Sequence, residues 1–216
     1  MVSEAPQSEA VAARPPVVGV VLAGGRAQRM GGGDKCLLTL AGRPILAHIV
    51  ERLRPQVRRI VLNANGELAR FAAFGLPVIG DAVEGFAGPL AGVLAGLEWA
   101  AVKAPDCPWV VSIPGDGPFL PRDLVARLLS EAEAGAEIVS VSTAGNPNPV
   151  IALWPVSLAP ALRLALVEEG LGKVDSFAQR YRLALVDWPD RPVDPFFNAN
   201  NAEELAEAER LLPLAP

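Results

Sequence analysis

Histidine is almost missing from this chain of 216 residues: His48 is the only one. Serine–histidine hydrolysis has no other candidate base, and a lone helical histidine without a paired carboxylate is more often structural than catalytic. Cysteine is nearly as scarce, with Cys36 and Cys107 alone and no CxxC pair. Zinc sites and a disulfide framework therefore have no support, and a reducing cytoplasm is the expected setting. No apolar run approaches the roughly 18 residues needed to cross a bilayer. The first sixteen residues carry Glu4 and Glu9 and no apolar core segment, so residues 1–16 are expected to be a disordered tail and not a signal peptide. Positive charge is also in short supply. A net charge of −5 and a pI near 5.0 argue against a nucleic-acid binder, whose affinity rests on a basic face. The motif G-x-x-x-x-G-K-[ST] does not occur, and G-x-G-x-x-G is absent at the first strand end. P-loop and dinucleotide-binding readings lose their main support.

What the chain does have is apolar residues, 51% of the total. That fits one α/β domain with a sizeable core, spanning residues 17–216, better than two full domains. The stretch 17–44 organises the rest. Residues 17–23 are a valine-rich run too short for a useful helix, and so a candidate buried parallel strand. The run passes into Gly24 and Gly25, followed by Arg26, Arg29 and Lys35 with Gly31, Gly32 and Gly33 between them. Glycine lets backbone N–H groups approach a ligand closely and cations answer phosphate charge, so a triphosphate suits this loop. The bland alternative is a tight turn with solvated arginines; five glycines and three cations together weigh against it.

Short strands then alternate with helical patterns. Pro44 opens a helix carrying Ile45, His48, Ile49 and Leu53 and ending before Pro55. A strand at 60–62 runs into Asn63 and Asn65, a weak helix follows at 67–74, and a third strand at 77–79 ends in Asp81. After Gly88 and Pro89, a helix presents Leu90, Val93, Leu94 and Leu97 as an apolar stripe. A central strand at 109–113 emerges at Pro114 and presents Asp116. Pro121 starts a helix to about residue 134, stopped by Gly135. Strands are expected at 137–142 and 150–154, helical segments at 156–169 and 170–181, and a last strand at 183–188. Asn201, with Glu204 three residues on, caps the C-terminal helix. This order indicates a three-layer, Rossmann-like α/β fold with a mostly parallel sheet and helices on both faces. Open parallel sheets bind ligands at their carboxyl ends, which makes Asn63, Asp81 and Asp116 site candidates. Asp116 is the best metal candidate, because Mg²⁺ takes hard oxygen ligands from one or two carboxylates plus substrate phosphates.

The glycine-rich stretch resembles the signature of GT-A-like nucleotidyltransferases, most closely the molybdenum cofactor guanylyltransferases, through Leu22, Ala23, Gly24, Gly25, Arg29, Met30, Gly31 and Lys35. The segment from Gly88 to Gly92 and the asparagines Asn198 and Asn200 match further family motifs in the same order. Asn201 and Ala202 replace a Thr-Pro of the family pattern, and Asn146 and Asn148 stand where the family usually has a histidine or arginine. Those departures leave the pterin contacts open. The resemblance implies transfer of GMP from GTP to molybdenum-bound molybdopterin, with Mg²⁺ required and molybdoenzymes or their chaperones downstream. For that reaction the nucleotide is expected on Leu22, Ala23, Gly24, Gly25 and Lys35 of the matching motif, together with the strand-end candidates Asn63, Asp81 and Asp116, with Lys35, Asp116 and Arg29 catalytic. Asp116 holds the metal, Asn198 and Asn200 meet the pterin phosphate or the α-phosphate, and Asp34 does no more than orient Lys35. Gly24, where a CTP-using relative would have alanine, points to GTP. Two rivals stay open: a CTP-dependent molybdopterin cytidylyltransferase or other small-molecule nucleotidyltransferase, and a non-catalytic nucleotide-binding adaptor.

Overall fold

Side chains alternate along a strand, and in β1 (Val17–Leu22) both faces are apolar: Val17 and Val21 enter one buried cluster, Val18 and Val20 another. Such a strand has to be covered on both sides. The computed structural model, which describes residues 14–24, 34–83, 85 and 88–215, places it inside a seven-stranded sheet. The other members are β4 (Arg59–Asn63), β5 (Val78–Ile79), β6 (Trp109–Pro114), β7 (Ile138–Thr143), β8 (Asn146–Pro155) and β9 (Leu183–Trp188), in the order β5-β4-β1-β6-β8-β7-β9. A small antiparallel pair, β2 (Thr39–Leu40) and β3 (Arg43–Pro44), stands apart. In the large sheet only β8 opposes its neighbours, so the sheet is mostly parallel, as expected.

Helices cover both faces. One cluster takes in side chains of α1 (Ile45–Leu53), α3 (Leu124–Glu133) and α6 (Ala202–Leu211); the other takes in α2 (Pro89–Lys103), α4 (Ala159–Val167) and α5 (Val174–Ala178). α2 lies unusually close to the sheet. A methyl group at Gly96 would sit 2.9 Å from Val20 Cβ, and one at Gly92 would strike Asn63 and Leu22. The small residues of this helix therefore set how near it approaches β1 and β4, and with that where its N-terminus meets the strand ends.

Several expectations shift in physically instructive ways. The weak helix at 67–74 is a 3-10 segment, Leu68–Phe74, ended by Gly75 at φ 60°. Its one buried side chain, Phe71, is too little apolar contact to hold a full α-helix. The helix expected from Pro121 begins instead at Leu124, where distant side chains order its start: Gln56 Oε1 accepts from the Val125 amide at 3.0 Å, and Gln56 Nε2 donates to Pro121 O at 2.8 Å. The helical stretch at 156–169 divides into a 3-10 turn, Val156–Leu158, and α4. The strand at 150–154 is longer, runs antiparallel, and is bulged, its register jumping from Ser140↔Ala152 to Val141↔Asn148. Hydroxyls satisfy the carbonyls that the bulge frees: Ser112 Oγ donates to Val150 O at 2.6 Å and Ser140 Oγ to Ile151 O at 3.2 Å. Of the expected tail, residues 1–13 lie outside the described residues, while the Arg14 carbonyl accepts from Arg58 Nη2 at 3.1 Å. Among the described residues no helix is long and apolar enough to cross a membrane.

Candidate active site

Strand register builds the site. Leu22 pairs with both Asn63 and Pro114, and Asn63 pairs with Ile79, so four parallel strands end in one row. The ladder continues one residue further: the Ala23 amide donates to Asn63 O, Ala64 to Ile79 O, and Gly115 to Leu22 O. Two residues past the row, free of the ladder, stand Gly24, Asn65, Asp81 and Asp116. Gly115 has to be glycine for this closure, since a methyl group there would lie 2.9 Å from Leu22 O. These ends line a cleft of about 530 Å³ together with Lys35, Cys36, Asn63, Gly88, Pro89 and Val150, a volume typical of small-ligand sites.

At one side of the cleft Asp81 is held between two asparagine amides. Asn63 Nδ2 donates to Oδ1 at 3.0 Å and Asn65 Nδ2 to Oδ2 at 2.6 Å, while the Asp81 amide donates back to Asn65 Oδ1 at 2.9 Å. Each carboxylate oxygen keeps acceptor capacity, so the group can still receive two parallel donors from a ligand. On the other side, Lys35 Nζ lies 3.8 Å from Asp116 Oδ2 and donates to Asn200 Oδ1 at 2.5 Å. Burial pushes the Asp116 carboxyl above the ordinary aspartate range; Lys35 and its own backbone amide pull it back, and Glu204 adds to the rise. A carboxylate so desolvated gains from a cation. The segment behind it is stitched in place by the Ala199 amide, which donates to Asp116 O at 2.9 Å. Beside it, Asn198 Oδ1 is buried and has no hydrogen-bond donor. Asp116 thus offers a hard oxygen donor of the type that Mg²⁺ takes, and among the described residues no three His, Cys, Asp or Glu side chains gather into a metal cluster.

Of the residues singled out in the sequence, Leu22, Ala23, Gly24, Lys35, Asn63, Asp81 and Asp116 line the cleft. Asn198 and Asn200 stand behind it, Asn200 in contact through Lys35. Gly25 and Arg29, with Arg26, Met30 and Gly31 to Gly33, lie outside the described residues. Asp34 does not orient Lys35 by direct contact; its carboxylate pairs with Arg70, the bonds coming from Nε and Nη2. Asn146 and Asn148 face Thr143 and Val141 across the β7–β8 hairpin, and Val150 is the part of β8 that reaches the cleft. His48 is structural, its Nε2 3.0 Å from Leu40 O. Cys36 is fully buried in the cleft wall, and its thiol is pushed up to about 12, first by burial and then by Asp34. Sequence reasoning missed Asn65, Arg70, Val150 and Glu204 as members or supports of the site. Asn65 alone carried a signal, being two residues past a strand end just as Asp81 and Asp116 are.

A family model described as a MobA-like NTP transferase domain matches residues 19–183. A molybdenum cofactor guanylyltransferase of Rhodopseudomonas palustris (strain BisB5) is 56% identical over 202 residues, spanning 93% of this chain and 96% of that protein. One from Bradyrhizobium sp. (strain ORS 278) is 56% identical over 196 residues, 90% and 92% of the two chains. Among solved structures, molybdopterin-guanine dinucleotide biosynthesis protein A from Archaeoglobus fulgidus superposes with a TM-score of 0.71 at 22% identity, over 92% of this chain and 99% of that one. The 2-C-methyl-D-erythritol 4-phosphate cytidylyltransferase of Thermus thermophilus superposes with a TM-score of 0.64 at 21% identity, over 91% and 98%. These structural likenesses speak to the fold alone.

Proposed function

Since the chain belongs to the MobA-like NTP transferase family, we propose that it is a molybdenum cofactor guanylyltransferase, with residues 17–216 as one nucleotidyltransferase domain. It transfers GMP from GTP to the terminal phosphate of molybdenum-bound molybdopterin and releases pyrophosphate. The observation that carries this reading is the row of strand ends that puts Gly24, Asn65, Asp81 and Asp116 around one cleft, with Lys35 facing Asp116.

The chemistry asks little of the protein beyond alignment and charge. The attacking phosphate oxygen is anionic near neutral pH, so no protein nucleophile or strong general base is required, and a structural His48 is no obstacle. Leu22, Ala23, Gly24 and Lys35 cradle the triphosphate, with Gly25 and Arg29 continuing the same loop in the sequence. Asn63 and Asp81 take the base end. Mg²⁺ would neutralise charge on the phosphates when bound, and Asp116 is the group that would hold it. In this reading Asn198 and Asn200, the latter already on Lys35, meet the incoming pterin phosphate or the α-phosphate. Molybdoenzymes or their chaperones receive the product. Two buried free thiols fit the reducing cytoplasm in which such synthesis would run.

Incubating the protein with each of the four nucleoside triphosphates, Mg²⁺ and molybdopterin, and reading the product by mass, tests the proposal. A GMP adduct is expected. A CMP adduct would transfer the assignment to a cytidylyltransferase, and binding without any adduct would leave a nucleotide-binding adaptor.

A further inference from the structure

One guanidinium ties the residue before Lys35 to the backbone of Asn65. Arg70 sits on the 3-10 segment Leu68–Phe74, with its plane over the Phe71 ring at 4.5 Å. Its Nε and Nη2 hold the two oxygens of Asp34, its Nη2 also donates to Asn65 O at 2.9 Å, and its Nη1 donates to Glu67 O. Side-chain exposures of 25% for Arg70 and 12% for Asp34 set this pair apart from a fully solvated surface ion pair. Asp34 immediately precedes Lys35, the cation beside Asp116. Asn65 grips Asp81 with both ends of its amide. A continuous set of contacts therefore runs from Asp81 through Asn65, Arg70 and Asp34 to the residue that carries the ammonium.

We propose that Arg70 is a positioning residue that holds the base-reading pair Asn65–Asp81 and the triphosphate lysine Lys35 in one frame, so that guanine selectivity and turnover depend on the same side chain. This rests on the nucleotidyltransferase reading of the cleft. Arginine is required because its planar fork reaches four acceptor oxygens on three residues at once, where a lysine ammonium offers donors from a single point. Removing the fork frees the Asn65 backbone, and with it the amide that orients Asp81. It also frees Asp34, and with it the start of the turn Lys35–Leu37. A side chain that served stability alone would lower the melting temperature and leave both readouts in place.

The test compares the parent with Arg70→Met, Arg70→Lys and Asp34→Asn. Calorimetry with Mg²⁺ gives the ratio of GTP to CTP affinity, pyrophosphate release gives kcat and KM separately, and thermal melts give stability. Arg70→Met should lose about tenfold in the GTP to CTP ratio and about tenfold in kcat, within the span that coupling residues remote from a ligand reach. Arg70→Lys should recover most of the melting temperature without recovering the ratio. Asp34→Asn should lower kcat with a smaller effect on the ratio, and combining it with Arg70→Met should add little to kcat. Arg70→Lys and Asp34→Asn carry the test should Arg70→Met not fold. The inference is overturned by a parent that prefers GTP together with Arg70 variants that keep both the preference and kcat within twofold. A parent with no GTP preference overturns this inference and the proposed function together.

Discussion

Replacing Gly92 by alanine should destabilise the protein and weaken GTP binding at once, although the same change in an exposed helix stabilises. Alanine exceeds glycine by about 1 kcal/mol in a helix interior. Here the added methyl lands on Asn63 Oδ1, 2.9 Å from Asn63 Cγ and 2.7 Å from Leu22 Cδ2. Asn63 is 5% exposed and already committed to Asp81 Oδ1 at 3.0 Å, so it yields only by giving up that bond. Overpacking of this kind costs about 1–3 kcal/mol, and a hydrogen bond to a charged group is worth about 1.5–3 kcal/mol. Set against the helix gain, the net loss is about 1.5–5 kcal/mol. At about 2–4 °C per kcal/mol for a chain of this length, Tm should fall by roughly 3–20 °C.

Gly96→Ala is the control. Its methyl meets Val20 Cβ at 2.9 Å and both Val20 Cγ atoms at 3.0 Å, and Val20 does not line the cleft. It should lower Tm through packing alone and leave the GTP dissociation constant unchanged. Scanning calorimetry with and without GTP measures both effects. A Gly92→Ala protein at least as stable as the parent, with undiminished GTP affinity, would refute the idea that α2 is packed onto the cleft through Asn63. Equal nucleotide affinities in the two variants, both destabilised, would refute the functional half of it.

Much of this architecture was legible because it depends on neighbours in sequence. The apolar run before Gly24, the polar ends at Asn63, Asp81 and Asp116, and the cap at Asn201 are local signals, and each lands where expected. The Asn201 cap is also a warning about detail. Asn201 Oδ1 accepts from the Glu204 amide at 2.8 Å, but the Glu204 carboxylate reaches the Asn200 amide rather than that of Asn201, a choice set by where the preceding chain runs. What stayed hidden depends on distance. Gln56 and Val125 are 69 residues apart and Arg70 and Asp34 are 36 apart, so nothing in either local sequence announces the pair. The antiparallel β8 was masked by its turn: Ala144 and Gly145 both take positive φ, at 47° and 81°, as a tight hairpin asks, yet alanine is a poor emblem of that conformation. Asn65 lies past a strand end as Asp81 does, but that it shares their cleft follows only from the register that pairs Leu22 with Asn63, which the sequence withholds.

Five further perturbations test the site. Lys35→Ala should weaken triphosphate binding and slow transfer by about 10–100-fold, the worth of one charge-assisted contact, read by calorimetry and pyrophosphate release. Cys36→Ser should leave activity near the parent's, because the thiol is buried and held protonated; complete inactivation would show that the thiol is used. Asp81→Ala should cost about tenfold to thousandfold in GTP preference by leaving guanine donors unpaired. Gly24→Ala, whose methyl finds only Ala64 Cα at 4.0 Å, should fold normally and bind GTP less well; full selectivity in both variants would remove them from base recognition. The last perturbation separates function from stability. Burial raises the Asp116 carboxyl above its unfolded value, so the folded protein holds that proton more tightly than the unfolded chain does. The stability this contributes is complete below the unfolded pKa and is lost as pH rises through the folded one. At neutral pH and without metal, the ionised carboxylate is therefore a burden on the fold. Asp116→Asn removes the burden with little change of shape. Its Tm in EDTA should exceed the parent's at pH 7, with the difference shrinking on acidification toward the ordinary aspartate range. Turnover should meanwhile fall about a thousandfold or more, because the amide cannot supply the charge that holds Mg²⁺ on the triphosphate. Mg²⁺ with GTP should raise the parent's Tm more than the variant's. A variant that melts below the parent at pH 7, or turns over within about threefold of it, under 1 kcal/mol in barrier, would take Asp116 out of the metal role.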